Sequence, residues 1–193
     1  MHSKFLLLLG VSGAGKSTLI HSLKAIDSRF IYIKPYTNRP LRTGETEKIH
    51  KTLNEINDLI RQGEIILVSE LYGYIYATPR KIILDSFEQG NFPILDFPIQ
   101  RLSEIQQLFP GKTYSIYILP PDEITLQNRL NDGRDINGGR YTFAMEEIKA
   151  VKNYSLGGFD ELIVNATGRA TQIAEGIYHS FIASCKRPHL VNK

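Results

Sequence analysis

An α/β fold, a parallel sheet flanked by helices, is predicted by three observations. An apolar run from Phe5 to Leu9 feeds directly into Gly10-Val11-Ser12-Gly13-Ala14-Gly15-Lys16-Ser17, a glycine-rich turn of the kind that joins a buried strand to a helix. Further apolar segments of strand length recur along the chain, separated mostly by stretches of helical periodicity, the alternation that builds parallel sheets. Finally, 193 residues with 42% hydrophobic and 22% charged side chains are enough for one substantial core and show no composition shift that would mark a linker.

Taken in order, strands are expected at Phe5 to Leu9, Phe30 to Ile33, Ile65 to Val68, Pro93 to Asp96, Tyr114 to Leu119 and Leu162 to Val164. A helix from Ser17 to Ala25 follows the glycine turn. Another is bounded by Thr78 as cap, Pro79 at its first position and Gly90 at its end, with Ile82, Ile83 and Phe87 as its buried stripe. Others begin near Gln100, Asp122, Arg140 and Ala170. The segment from Lys34 to Lys48 is polar and turn-rich, so a loop or small flap is expected there. Asn131 to Gly139 is too rich in Asn, Asp and Gly for regular structure and reads as a mobile lid.

Charge and cysteine content narrow the class. A formal net charge of +3 implies no nucleic-acid partner. The one cysteine, Cys185, forms no internal disulfide and fits a reducing, cytoplasmic setting. Lys4 and the apolar run after it imitate a signal peptide, but the run is short and ends in the glycine turn, and no stretch is long enough to span a membrane. The five histidines show no metal-ligating spacing.

The glycine turn is a complete G-x-x-x-x-G-K-[ST] pattern, the P-loop. Its glycines let successive backbone N–H groups point at phosphate oxygens, and the helix that follows adds its positive end. Lys16 is then placed to reach the β and γ phosphates of ATP, and the Ser17 hydroxyl to ligate Mg²⁺. Gly10, Ser12, Gly13, Ala14, Gly15, Lys16, Ser17 and Thr18 are the expected ATP-binding residues. The glycines read G-x-x-G-x-G, which is not a dinucleotide fingerprint. Transfer of a γ-phosphoryl group spreads negative charge over its oxygens, so cationic forks are needed on both sides of it. Arg39 and Arg42, three apart in the polar segment, have a spacing that lets two guanidiniums converge on one acceptor phosphate. Asp96, ending a strand beside the loop, is placed to organise Mg²⁺ through water.

Beyond the loop, the order of motifs resembles the guanylate kinase family over nearly the whole chain. The matching segments are Thr37-Asn38-Arg39-Pro40-Leu41-Arg42-Thr43-Gly44-Glu45, Gly73-Tyr74-Ile75-Tyr76-Ala77-Thr78, Ile94-Leu95-Asp96-Phe97-Pro98-Ile99-Gln100, Ile118-Leu119-Pro120-Pro121 with Arg129-Leu130, and Ile163-Val164-Asn165. The resemblance implies a single P-loop NTPase-type domain over residues 1–193. Its core is 1–33 and 79–185, its acceptor-binding flap 34–78, its lid 131–140 and its tail 186–193. It also implies that Tyr76 and Thr78 join Arg39, Arg42 and Asp96 on the acceptor. Lys16, Arg39, Arg129, Arg134 and Arg140 become the catalytic set, the last three being lid and lid-flanking arginines. Two departures concern the base: where the family carries guanine-reading carboxylates, this chain has Leu67 and Pro98. Glu70 is expected to face away from that pocket by strand alternation. The flap is also short, with Lys48 or Lys51 where a second phosphate-binding tyrosine stands in the family. Three readings follow: an ATP-dependent nucleoside monophosphate kinase favouring GMP, with Mg²⁺ as cofactor; a kinase for a sugar phosphate such as ribose 1,5-bisphosphate; and a non-catalytic nucleotide-binding module. The expected partners are ATP and a phosphorylated small-molecule acceptor, in a monomer or homodimer.

Overall fold

A computed structural model of the chain describes residues 4–131, 139–153 and 157–186. Its centre is β1 (Phe5–Leu9), five apolar side chains each at most 1% exposed. A strand buried on both faces reads as an unbroken apolar run, which is why this segment signals a parallel sheet. β2 (Phe30–Tyr32), β7 (Phe92–Asp96), β8 (Thr113–Leu119) and β9 (Glu161–Val164) complete an all-parallel five-stranded sheet in the order β2-β7-β1-β8-β9. The order reverses beside β1, and ligands of such sheets bind at the carboxyl ends of the strands at that switch point.

Helices cover both faces. Side chains alternate along a strand: Phe5 meets Phe87 of α3 (Arg80–Glu88) and Phe109 beyond α4 (Leu102–Leu108), at 4.4 and 4.5 Å between ring centroids. Tyr114, the register partner of Leu6, instead meets Phe181 of α7 (Ala170–Lys186). α7 packs beside α1 (Lys16–Ile26) and is pinned to the sheet edge by the rings of Phe30, Phe92 and Phe181, 5.2 to 5.4 Å apart. α5 (Glu123–Leu130), capped by Asp122 through Thr125 N–H at 2.6 Å, and α6 (Gly139–Lys152) follow β8.

The expected strand at Ile65 to Val68 belongs elsewhere. β5 (Ile65–Leu71) and β6 (Tyr74–Pro79) form an antiparallel hairpin in a second, four-stranded sheet ordered β4-β3-β6-β5, with β3 (Tyr36–Thr37) and β4 (Ile49–His50). Tyr72 and Gly73 make its two-residue turn with φ of 54° and 76°, the backbone that matches strand twist in tight hairpins. Thr78 therefore lies inside β6 and is not a helix cap. Pro79 takes the cap position, without a side-chain bond, and the helix starts at Arg80. A further helix, α2 (Leu53–Arg61), buries Ile56 under this sheet. Among the described residues no helix is long and apolar enough to cross a membrane. The greater part of the expected lid, residues 132–138 with Arg134, and residues 187–193 of the expected tail lie outside the described residues.

Candidate active site

The carboxyl ends of β1 and β7, the hairpin of the second sheet and α6 enclose a cleft of about 1800 Å³. Its floor is the P-loop. Gly10, Gly13 and Gly15 have φ of 132°, 83° and 93°, values that L side chains rarely adopt. Two are also sterically required: a Cβ on Gly10 would lie 2.4 Å from the Ile118 carbonyl oxygen, and one on Gly15 2.2 Å from Asn165 Nδ2. Gly10, Ser12, Gly13, Gly15, Lys16, Ser17 and Thr18 all line the cleft. Ala14 does not: it is fully buried, and its N–H turns inward to the Val11 carbonyl at 3.2 Å, so the loop uses that donor to hold its own shape.

Three polar side chains brace the loop from outside. Arg129 donates to the Gly13 carbonyl at 2.9 Å, Arg140 to Ser12 Oγ at 2.8 Å, and buried Asn165 to the Ala14 carbonyl at 2.8 Å. Arg140 is itself buried, and its guanidinium lies 5.7 Å from the Tyr72 ring centroid, so α6, the loop and the hairpin turn meet at one side chain. Lys16 donates to the carbonyls of Gly10 and Val11 at 2.6 and 3.1 Å. Burial pushes its ammonium below the usual lysine range, opposed by the negative charges of Asp96 and Glu147. A phosphate oxygen beside it would favour the charged form.

Arg39 and Arg42 both line the opposite wall but differ in state. The Arg39 guanidinium reaches both carboxylate oxygens of Glu45 at 2.6 Å, with side-chain exposures of only 14% and 9%. Burial works against the charge on Glu45, yet Arg39 and the Arg42 N–H hold its carboxyl below the usual range. Arg42 meets Glu45 through its backbone, donating its N–H to the carboxylate at 3.0 Å and accepting from the Glu45 N–H at 3.0 Å, and its side chain is exposed. Glu45 thus holds the guanidinium of Arg39 but only the backbone of Arg42, and the two side chains do not form a matched fork. Tyr76 and Thr78 lie on the same wall, with the Lys48 ammonium 5.7 Å from the Tyr76 ring centroid.

Asp96 lines the cleft at the end of β7 and accepts a 2.5 Å hydrogen bond from Tyr32, whose phenol is pushed well up by burial and by this carboxylate. Among the described residues no three His, Cys, Asp or Glu side chains cluster as a metal cage. A hydroxyl and one or two carboxylates completed by substrate phosphates is the donor set that suits Mg²⁺, and Ser17 and Asp96, which both line the cleft, are side chains of that kind. Sequence reasoning missed Glu147, on the same face of α6 as Arg140 and Ala144. It accepts from the fully buried Tyr117 hydroxyl at 2.7 Å and from Gln100 at 3.3 Å, fastening α6 to β8. The seven-residue spacing from Arg140 was the available signal. Leu67 is 2% exposed and packed in the main core, while Pro98 lines the cleft. Glu70, expected to face away, is among the lining residues, because the wall there is the end of the hairpin ribbon.

Comparisons with known proteins agree with this geometry. The guanylate kinase family model matches residues 2–171. A guanylate kinase from Nostoc sp. is 31% identical over 163 residues, 81% of each chain, and one from Clostridioides difficile is 30% identical over 164 residues, 81% of this chain and 79% of that one. Among solved structures, a guanylate kinase from Anaplasma phagocytophilum superposes with a TM-score of 0.76 at 23% identity, covering 96% of this chain and 88% of that one. Shikimate kinase from Acinetobacter baumannii shares the fold at a TM-score of 0.53 and 14% identity over 96% of both chains. With a P-loop floor, an arginine-bearing wall opposite it and matches of this extent, the chain belongs to the guanylate kinase family of phosphotransferases.

Proposed function

We propose that the chain is an ATP-dependent nucleoside monophosphate kinase that moves the γ-phosphoryl group of ATP to the acceptor's phosphate, with GMP as favoured acceptor and GDP as product. The observation that carries this reading is one cleft with cationic and hydroxyl side chains on two facing walls, Lys16, Arg129 and Arg140 at the P-loop and Arg39, Arg42 and Tyr76 across from it. A nucleotide hydrolase has no use for the second set.

On this reading the second sheet is the acceptor flap and residues 131–140 the lid. The backbone N–H groups of the loop and the amino end of α1 bind the ATP phosphates, and Lys16 leaves its loop carbonyls for the β and γ oxygens. Arg39, held in place by Glu45, grips the acceptor phosphate so that its oxygen lies in line with the γ-phosphorus. Arg129 and Arg140 stabilise the charge that spreads over the transferring group, and Arg134 joins them when the lid shuts and excludes water. Ser17 and Asp96 would hold Mg²⁺, which would supply neutralisation of the charge that develops on the phosphates during transfer.

ATP consumption measured against GMP, dGMP, IMP, AMP and ribose 1,5-bisphosphate tests the proposal. Turnover of GMP at least as fast as of any other acceptor is expected. Turnover of ribose 1,5-bisphosphate alone would replace the acceptor assignment, a result that the apolar Leu67 and Pro98 make worth testing.

A further inference from the structure

The wall facing the acceptor's far end carries a polar group that the chemistry above does not use. Leu67 pairs with Thr78 and Ser69 with Tyr76 across the hairpin, so the four side chains share one face of the ribbon. Ser69 is 4% exposed and Thr78 9%, and both line the cleft. Among the described residues neither hydroxyl makes a hydrogen bond, yet no fully enclosed side-chain polar atom lacks a partner, so both oxygens open onto the cleft. Each hydroxyl thus faces the cleft with its donor and acceptor capacity available to a ligand.

We propose that Ser69 is a specificity-determining residue that hydrogen-bonds the edge of the acceptor's base, beside Thr78 and in the region where apolar Leu67 and Pro98 offer no acceptor. The inference rests on the nucleoside monophosphate kinase reading above. Ser69 and Thr78 are diagonal neighbours, about 7–8 Å apart by the geometry of paired strands, close enough for one planar base to meet both. The consequence is chemical. A carboxylate only accepts, and so selects a base edge that donates; a hydroxyl both donates and accepts. The site therefore tolerates 6-oxo and 6-amino purines alike, and discriminates between them less than a buried carboxylate does.

The test is steady-state kinetics of the full chain and of Ser69→Ala with GMP, IMP and AMP, with ribose 5-phosphate as an acceptor-site inhibitor that lacks a base. We expect kcat/KM for the purine monophosphates to fall about 3- to 10-fold through KM, the size of one neutral hydrogen bond. The KM for ATP and inhibition by ribose 5-phosphate should not change. Melting temperature should stay level or rise, because the hydroxyl has no partner in the protein; a purely structural serine would lower it. Unchanged kinetics for all three purines, or an equal loss toward ribose 5-phosphate, would overturn the role of Ser69 while leaving the kinase reading intact. A parent chain that phosphorylates no nucleoside monophosphate would overturn both.

Discussion

Gly15 and Asn165 compete for the same space behind the P-loop, and a double-mutant cycle measures that competition. In Gly15→Ala the new Cβ would sit 2.2 Å from Asn165 Nδ2, at a backbone φ of 93°. The left-handed backbone costs roughly 1–2 kcal/mol for a residue with a Cβ. Pushing the carboxamide aside also breaks its 2.8 Å bond to the Ala14 carbonyl, and both groups are buried. Leaving them unpaired costs about 1–3 kcal/mol, so Gly15→Ala should lose about 2–5 kcal/mol in total. Asn165→Ala alone removes the same bond and should cost about 1–3 kcal/mol. In the double variant the bond is lost only once and the clash is gone. Adding Asn165→Ala to Gly15→Ala should therefore cost almost nothing, a coupling of at least about 1 kcal/mol. Thermal unfolding reads this directly, since each kcal/mol moves the midpoint of a chain of this size by about 2–4 °C. Calorimetric titration of ATP should show the same non-additivity in affinity. Strictly additive midpoints would refute the claim that Asn165 and Gly15 share one packing event beneath the phosphate site.

Three further outcomes are expected. Lys16→Ala should reduce kcat by at least about 100-fold, as loss of one preorganised cation does, while its circular dichroism and melting temperature stay near the parent's; activity within a few-fold would contradict the P-loop assignment. Arg39→Ala should weaken acceptor binding by about 10- to 100-fold, the size of a charge-assisted contact, and ATP binding little; equal losses in calorimetry would move Arg39 to the donor side. Tyr114 is pushed up to about 12 by burial and by its hydrogen bond to Glu161, and Tyr32 and Tyr117 are raised as well. The folded state thus holds these phenol protons more tightly than the unfolded chain, whose tyrosines titrate near about 10. Their contribution should be complete below about pH 10 and decline above it, that of Tyr114 being lost as pH rises toward 12. Denaturant midpoints that stay flat between pH 9.5 and 11.5 would count against it.

What was legible in the sequence is where one local rule dominates. β1 and the P-loop were readable because an apolar strand and glycines at positive φ leave few alternatives. The central strands followed from their apolar runs. The second sheet was not readable, because its two main strands meet at Tyr72-Gly73, and a tyrosine at positive φ carries none of the Asn-Gly or Asp-Gly signal that marks tight hairpins. Pro79 compounded this by imitating a first-turn proline while ending a strand. The signal for helix α2 lies in the sequence: Thr52 and Glu55 form a capping box, with the Thr52 N–H donating to the Glu55 carboxylate at 2.7 Å. In the site, the cations were legible from the chemistry of phosphate. Their second partners were not, since the pairing of Tyr117 with Glu147 depends on how α6 lies against β8. The buried hydroxyl of Ser69 likewise acquires meaning only once the ribbon face is known.

The most direct test of the account is product analysis by phosphorus NMR of the full chain incubated with ATP, Mg²⁺ and GMP. The account predicts GDP and ADP appearing together in equal amounts, with little inorganic phosphate and product forming at least about 100-fold more slowly with Lys16→Ala. Release of inorganic phosphate without GDP, or a phosphorylated product formed only when a sugar phosphate replaces GMP, would contradict it.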